Sequence, residues 1–545
     1  MTKVLSAHAR RFVEIPNTEL VENRSTLENE KLREAIQLFL RAGYHLDIEA
    51  FNLLSTISKA EDATRLSELA LKRLETHNDK TLFITRSLLE EATEVTFLKA
   101  KEPEPITTPT VQEPSALAVP GKSRRKLHSH AKSIEKDIEV LEDPTDKICS
   151  TGSIDEYLEY FHDRFKRIRR LLRQRMDSRN AISIKEVFRA PPKSRVTMIC
   201  IITDKRESKH GTFLLTEDLE SSATILVPSN APPELIEKTK LLLPDQVVSL
   251  SLVKGRKGLL ILEDVALPDI PQAKPHKAKE PVHVALISDL HVGSKEFMRE
   301  EFNRFVLWLN GKYGNERLRE TASLVKYVII AGDIVDGIGV YPNQFRELAE
   351  RDIFKQYKLA AQFLEQIPDY VELIVIPGNH DASRKALPQP AIPKEYAEVL
   401  YEARNLLSLG NPATVSIHGV RFLIYHGRSL DDVLATAPDM NYHSPDRAMR
   451  LLLQGRHLAP TYGQRTSIAP EKRDFLVVEQ VPDVFHAGHV HVMKYSSYRG
   501  TLIVNSGAWQ RQTSYQRNLG LEPTPGIIPV LDLQTLSVLP IDFNV

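Results

Sequence analysis

The stretch Val282–His291 reads VHVALISDLH, a short apolar and β-branched run that closes on Ser288, Asp289, Leu290 and His291. A run of this length and composition predicts a buried strand, and the polar residues fall where the strand gives way to a loop. The pattern returns four times downstream. Val325–Ile330 is followed by Ala331, Gly332 and Asp333, and Val371–Ile376 by PGNHD at Pro377–Asp381. Arg421–Tyr425 is followed by His426 and Gly427, and Asp483–Phe485 by HAGHVH at His486–His491. A further run, Thr501–Val504, comes later, and helical patterns such as Glu301–Asn310 and Phe345–Ile367 lie between. Strands alternating with helices predict a layered α/β domain over residues 280–545.

Ligands in layered α/β folds lie outside the carboxyl ends of the strands, so the five polar clusters should converge on one crevice. Their side chains are Asp, His and Asn, without a thiolate. Such donors suit a divalent ion, with manganese expected and zinc, iron or nickel as alternatives. The candidates are Asp289, His291, Asp333, Asn379, His380, His426, His489 and His491, more than one ion needs. They fit two ions with a shared carboxylate. Any one of these motifs alone is weak, since a lone histidine is usually an ordinary core or surface residue. Five in order, each just after an expected strand, point to metal. Glycine beside Asp333, Asn379, His426 and His489 lets the backbone turn sharply and leaves room for a substrate.

Upstream, residues 26–100 read as a helical module, with Leu32, Ile36, Phe39 and Leu40 at helical spacing. Residues 101–150 carry Pro103, Pro105, Pro109, Pro114 and Pro120 and read as a flexible linker. Residues 151–272 read as a helix followed by a barrel. The helix, about Ile154 to Met176, places Arg164, Lys166, Arg167, Arg169, Arg170, Arg173 and Arg175 on a basic face, open either to nucleic acid or to solvent. The expected strands are Arg195–Thr203, Thr212–Thr216, Ala223–Val227, Gln246–Leu252 and Gly258–Leu262, with a helix at Pro233–Leu242. Five strands with a helix between the third and fourth match an OB-fold. Aromatic residues are scarce there, so a docking barrel is at least as reasonable as a platform for single strands.

Composition sets outer bounds. The chain has 545 residues, too many for one core, and its formal net charge is zero, so any nucleic-acid surface must be local. The two cysteines, Cys149 and Cys200, allow no disulfide framework and fit a reducing cytoplasm. The opening MTKVLSAHARRFVEIP lacks the apolar core of a signal peptide, and no apolar run approaches the roughly 20 residues of a membrane helix. A soluble cytoplasmic protein without membrane contact is the expectation.

Asp-x-His, Gly-Asp, Gly-Asn-His-Asp, His-Gly and Gly-His-x-His, in that order, resemble the motifs of the calcineurin-like metallophosphoesterases, and NSGA at Asn505–Ala508 resembles that family's closing turn. The order of modules, with GIGVYPNQ at Gly337–Gln344 and PGNHDASRKALPQP at Pro377–Pro390, resembles the small subunits of archaeal family-D DNA polymerases. Asn343 stands where that resemblance would place glycine. The resemblance implies a multidomain fold: a helical N-terminal module, an OB-fold β-barrel, and an α/β phosphoesterase domain built as a layered β-sandwich with helices.

It also implies a metal-dependent 3′–5′ proofreading exonuclease that works with a large catalytic polymerase subunit. The sequence itself offers no synthesis centre. By the same resemblance, Asp289, His291 and His491 hold a first ion, Asp333 bridges, and Asn379, His426 and His489 hold a second. His380 stands over the scissile phosphate as acid or charge stabiliser, and Asp381 orients it through a carboxylate–imidazole hydrogen bond. Arg384, Lys385, Arg428 and Lys494 follow the clusters closely and are candidates for the DNA backbone. Expected partners are the large subunit and DNA with single-stranded or mismatched 3′ ends, with a sliding clamp as a further candidate. The alternatives are a free-standing repair nuclease or phosphatase, and a scaffold subunit without catalysis.

Overall fold

The computed structural model describes residues 129–518 and 520–544, together with two short strands, His45–Leu46 and Phe83–Ile84, that pair in parallel. The chain divides into two compact units, Met1–Lys122 and Ser123–Val545. Apart from that strand pair, the helical module expected at 26–100 lies outside the described residues, as does the proline-rich part of the linker.

Within the second unit, two six-stranded sheets stack face to face. The first runs Leu406–Ser408, Glu372–Ile376, Val325–Ala331, His283–Ile287, Ile527–Asp532, Val538–Asp542, with the first four strands parallel. The second runs Lys494–Tyr498, Thr501–Asn505, Val484–Ala487, Val420–Tyr425, Ala413–Ile417, Ile138–Glu142. Strand alternation sorts the side chains into layers. Val284 and Leu286 face the second sheet and meet Phe422 and Ile424, whereas Ala285 and Ile287 face the helices Arg299–Leu309 and Ile353–Leu364. On the other sheet, Leu423 and Tyr425 face the helices Leu430–Thr436 and Pro445–Gly455. The result is helix, sheet, sheet, helix. Burial on both faces explains why these strands read as continuous apolar runs.

Arg195–Ser208, Gly211–Glu217, Ser222–Pro228, Val247–Lys254 and Leu260–Ala266 form a closed barrel, with the helix Pro233–Lys240 between the third and fourth strands. Met198, Cys200 and Ile202 alternate into its interior with Leu214, Ile225 and Leu250.

Two expectations need correction. The linker at 101–150 ends too late, because Ile138–Glu142 is an edge strand paired antiparallel to Ala413–Ile417. Its signal, IEVLE, is too short and too charged to stand out in a sequence, and only the partner strand satisfies its backbone. The helix expected over Phe345–Ile367 starts at Ile353, because the Asp352 carboxylate caps it by accepting from Phe354 N at 2.9 Å. Asn343 adopts φ 66°, a left-handed conformation that asparagine tolerates better than most residues. The turn is therefore kept without glycine.

The basic face of the first helix, Ile154–Arg173, is also only partly a surface. A capping box of Ser153 and Glu156 starts this helix, and Phe165, Ile168 and Leu172 pack on Ile199, Val247 and Val477. Arg164 is fully buried: its Nε donates to Asp474 at 2.9 Å, and its two terminal nitrogens donate to the Pro460 carbonyl and the Tyr160 hydroxyl. Arg167 is buried too and pairs with Glu479 at 2.8 Å. These two arginines bolt the helix to the sandwich and are not available to nucleic acid.

Removing one partner of a buried ion pair leaves the other charge stranded, so Arg164→Ala should destabilise the second unit by roughly 3–5 kcal/mol. Exposed Arg170 pairs with Glu479 at 3.3 Å and is two-thirds exposed, so Arg170→Ala should change stability little. Denaturant unfolding of the two variants checks this, and equal small shifts would show that the buried cluster is not an anchor.

Candidate metal centre

The loops after His283–Ile287, Val325–Ala331, Glu372–Ile376, Val420–Tyr425 and Val484–Ala487 meet at one edge of the sandwich. They bring together all eight residues singled out as donors. His291 Nε2 lies 3.1 Å from His491 Nε2, and Asp289 Oδ1 lies 3.4 Å from the same His491 atom. Asp333 stands between the two halves: its Oδ2 is 3.8 Å from His291 Nε2 and 3.3 Å from His426 Nε2. His426 Nε2 is in turn 3.0 Å from Asn379 Oδ1. Three overlapping sets could each hold a cation: Asp289, His291 and His491; Asp333, His426 and His489; and His291, Asp333 and His380.

The backbone is bent to achieve this. Asp289, His291, Asp333, His489 and His491 all have positive φ, between 52° and 70°. That conformation costs a non-glycine residue roughly 1–2 kcal/mol, and it persists only where the surroundings impose it. Here the loops hold one another: Asp289 N donates to the Gly332 carbonyl at 3.0 Å, and His291 N to the Asp333 carbonyl at 3.0 Å. Gly332 is required by space as well as by its φ of 91°, because a Cβ there would lie 2.6 Å from His426 Nδ1. A Cβ on Gly378 would collide with the Asp333 carboxylate.

The imidazoles are oriented from behind. His291 Nδ1 is 2.9 Å from Asp336 Oδ1, and His426 Nδ1 is 2.8 Å from the Ala331 carbonyl oxygen. With the proton held on Nδ1, each ring turns the Nε2 lone pair inward, the state a metal ligand needs. His489 Nε2 is 3.2 Å from Asp431 Oδ2, which leaves Nδ1 to face an ion. His491 Nδ1 is 2.9 Å from Gln516 Nε2. Ligation through His491 Nε2 requires a proton on Nδ1, so the Gln516 carboxamide must then turn its oxygen toward the ring.

Charge supports the same reading. Burial disfavours the ionised form of Asp333, but the neighbouring His426 and His380 outweigh it and hold the carboxyl well below its usual range. Burial likewise opposes ionisation of Asp289, yet His491 brings it down to about 2. His426 answers in kind: burial would lower it, but the Asp333 carboxylate raises it to about 9. Two buried carboxylates are thus balanced by imidazole protons. A divalent cation replaces those protons with charge of its own, which is why such sites release protons on loading. The donor set fits divalent ions on its chemistry.

His380 is oriented by a different group from the one expected. Its Nδ1 is 2.6 Å from the main-chain oxygen of Asp336, and its backbone N–H donates to Asp333 Oδ1 at 2.8 Å. Burial lowers its pKa to about 4. Asp381, expected to orient this ring, does not do so. Its carboxylate accepts from the N–H of Gly378 at 2.9 Å, from Ile334 N at 3.2 Å and from the Tyr357 hydroxyl at 3.2 Å. It braces the loops beneath the site, because its side chain turns into the protein while the ring of His380 turns out. The orienting group is the Asp336 backbone.

Of the four cations proposed for DNA, Arg428 lines the cleft over the centre and lies 3.3 Å from Asp431. Arg384 is committed to Glu471 at 2.8 Å and to the Pro388 carbonyl, and Lys385 donates to the Asn379 carbonyl; both line an adjoining hollow that His380 shares. Lys494 is exposed on an edge strand and lines neither space. Sequence reading missed Asp336, Asp431, Gln516 and Arg465. Asp336 and Asp431 follow the Gly-Asp and His-Gly clusters within five residues, a signal that was available. Nothing local marked Gln516 or Arg465.

A sandwich of two sheets with histidine and carboxylate donors gathered at its strand ends is the arrangement that the resemblance to calcineurin-like phosphoesterases implied. Residues 284–495 match the family of B-type subunits of DNA polymerases alpha and epsilon. The DNA polymerase II small subunit of Methanothermobacter thermautotrophicus is 35% identical over 512 residues, covering 93% of this chain and 99% of that protein. The protein of the same description from Pyrococcus furiosus is 40% identical over 394 residues, covering 72% of this chain and 64% of that protein. The match thus spans somewhat under two thirds of the Pyrococcus protein's length. Among solved structures, an archaeal phosphodiesterase aligns with 48% of this chain and 99% of its own at 15% identity and a TM-score of 0.24. The chain belongs to the family of archaeal DNA polymerase II small subunits. No helix among the described residues is long and apolar enough to cross a membrane.

Proposed function

We propose that this chain is the proofreading 3′–5′ exonuclease subunit of a two-subunit archaeal DNA polymerase, hydrolysing phosphodiesters at a centre for two divalent ions. The observation that carries the reading is Asp333, a buried carboxylate within 4 Å of an imidazole from each of two donor sets. Asp289, His291 and His491 would hold one ion, and Asn379, His426 and His489 the other, with Asp333 shared. Bound ions would neutralise phosphate charge and acidify a water at neutral pH. The chain's own part is to fix the donors, exclude bulk water from the buried face, and present His380 to the phosphate. The mixed imidazole and oxygen donors suit first-row divalent ions, and manganese is the ion proposed, with zinc, iron and nickel as alternatives.

Frayed 3′ ends cost little to separate, so single-stranded and mismatched 3′ ends should be cut faster than matched duplex ends, and activity should vanish with chelator and return with a divalent ion. Nuclease assays on the purified chain with several metals test this. Preference for a small phosphomonoester over DNA would favour the phosphatase alternative.

We also read the five-stranded barrel as an OB-fold that joins the sandwich as one docking block for the large subunit. What supports this is its packing: Tyr462 N donates to Asp245 at 2.8 Å, and Asp269 N donates to the Gln454 carbonyl at 2.8 Å. A permanent interface should bury more than about 2,000 Å². A chain starting at Ser123, which keeps the edge strand Ile138–Glu142, should therefore co-purify with the large subunit. Loss of the complex in that truncation would place docking in the N-terminal module instead.

A further inference from the structure

One cleft of about 150 Å³ holds the metal donors, and its lining also includes Tyr341, Tyr442, Tyr515, Arg428 and Arg465. On the flank of His291 and His380 the rings form a row. His380 lies 4.6 Å from His291 and 6.1 Å from Tyr341, and Tyr341 lies 5.3 Å from Tyr515 at an interplanar angle of 32°. Tyr341 is held by its hydroxyl, which donates to Glu347 at 2.9 Å. Tyr515, a residue 43% exposed, ends the row next to Gln516, which holds His491. On the flank of His489 the polar groups gather: Arg428 and the Tyr442 hydroxyl both reach Asp431, and the exposed Arg465 lines the same space.

An exposed aromatic ring on the rim of a cleft offers a flat apolar face with a polar edge. A nucleobase of any identity offers a flat π-face that can stack on such a ring. Arginines on the opposite flank suit phosphate. We propose that Tyr515, backed by Tyr341, is the stacking site for the base of the terminal nucleotide, so that the enzyme reads the presence of a base at the 3′ end and not its identity. The proposal rests on the reading of the centre as a DNA phosphodiesterase and names the substrate contact that reading lacks.

Two measurements on the full chain separate the two claims. The first is binding in chelator, where no hydrolysis occurs, of a single-stranded oligonucleotide carrying 2-aminopurine at its 3′ end. The wild-type chain and Tyr515→Phe should quench its fluorescence, and Tyr515→Ala should not. The second is cleavage, with metal, of the same strand ending in a normal or an abasic nucleotide. The wild type should prefer the base-bearing end by about ten-fold or more in kcat/KM, mostly through KM. Tyr515→Ala should lose that preference by slowing the base-bearing end more than the abasic end, and Tyr515→Phe should keep it. Quenching without cleavage would sink the nuclease reading and leave the base site standing. Cleavage with Tyr515→Ala still preferring the base-bearing end, or slowing both ends alike, overturns the stacking site, as does a wild-type chain that leaves 2-aminopurine unquenched.

Discussion

Asp333→Ala is expected to abolish hydrolysis and to empty both halves of the metal centre. Asp333 is the only carboxylate that reaches histidines of both donor sets among the described residues, at 3.8 Å to His291 and 3.3 Å to His426. Divalent ions typically supply several kcal/mol of transition-state stabilisation, so their loss should cost about 10³-fold or more in rate. Elemental analysis of the purified variant should find little of either ion, whereas a loss confined to one half would be expected of Asp289→Ala. The variant should remain folded, because Asp333 brings no apolar surface to the core and His426, unlike an arginine, can shed its proton when the carboxylate is removed. Wild-type metal content in Asp333→Ala, or undiminished activity in chelator, would overturn the two-ion centre.

His380→Ala is expected to separate chemistry from metal binding. If the ring serves the phosphate, the variant keeps its ions and loses rate by on the order of 10²–10⁴-fold, the usual cost of a missing acid–base group. The geometry also contains a rival. His380 joins His291 and Asp333 in a set that could itself hold a cation, and burial keeps its pKa near 4, so the ring is neutral at pH 7. Its Nδ1 faces the Asp336 carbonyl oxygen at 2.6 Å, so the proton sits there and Nε2 carries a lone pair. A ring in that state accepts; to act as an acid it must gain a proton with the incoming phosphate. Metal content decides between the two: a fall in His380→Ala equal to that in His489→Ala would make His380 a ligand.

The donor residues were legible because each sits one to four positions past a strand that announces itself. Val284 to Ile287 and Val328 to Ala331 are buried on both faces, so they read as unbroken apolar runs whatever their partners, and the polar residue that ends each run is conspicuous. The basic helix was less legible. Arg164 and Arg170 are alike in sequence, yet one is buried against Asp474 and the other is largely exposed. Nothing within the helix separates them, because the distinction is made by a carboxylate 310 residues away. Asp381 failed for a related reason. Adjacency to His380 in sequence suggested a bond, but neighbouring residues in a turn point apart, and the Asp381 carboxylate is drawn inward by the N–H groups of Gly378 and Ile334.

By itself the sequence determined the five strands that carry the candidate donors, the position of the barrel's helix between its third and fourth strands, and the oxygen and nitrogen chemistry of the donors at those strand ends. These follow from periodicity and residue chemistry, which are local. Tertiary structure alone decided which nitrogen of each histidine faces inward, since Asp336, the Ala331 carbonyl, Asp431 and Gln516 hold the opposite atoms from 45, 95, 58 and 25 residues away. It also decided that Ile138–Glu142 is a strand and that Tyr341 and Tyr515 stand side by side. An edge strand and a ring pair exist only when chain segments far apart in sequence are brought together, because the backbone groups and the apolar faces that stabilise them belong to the partner.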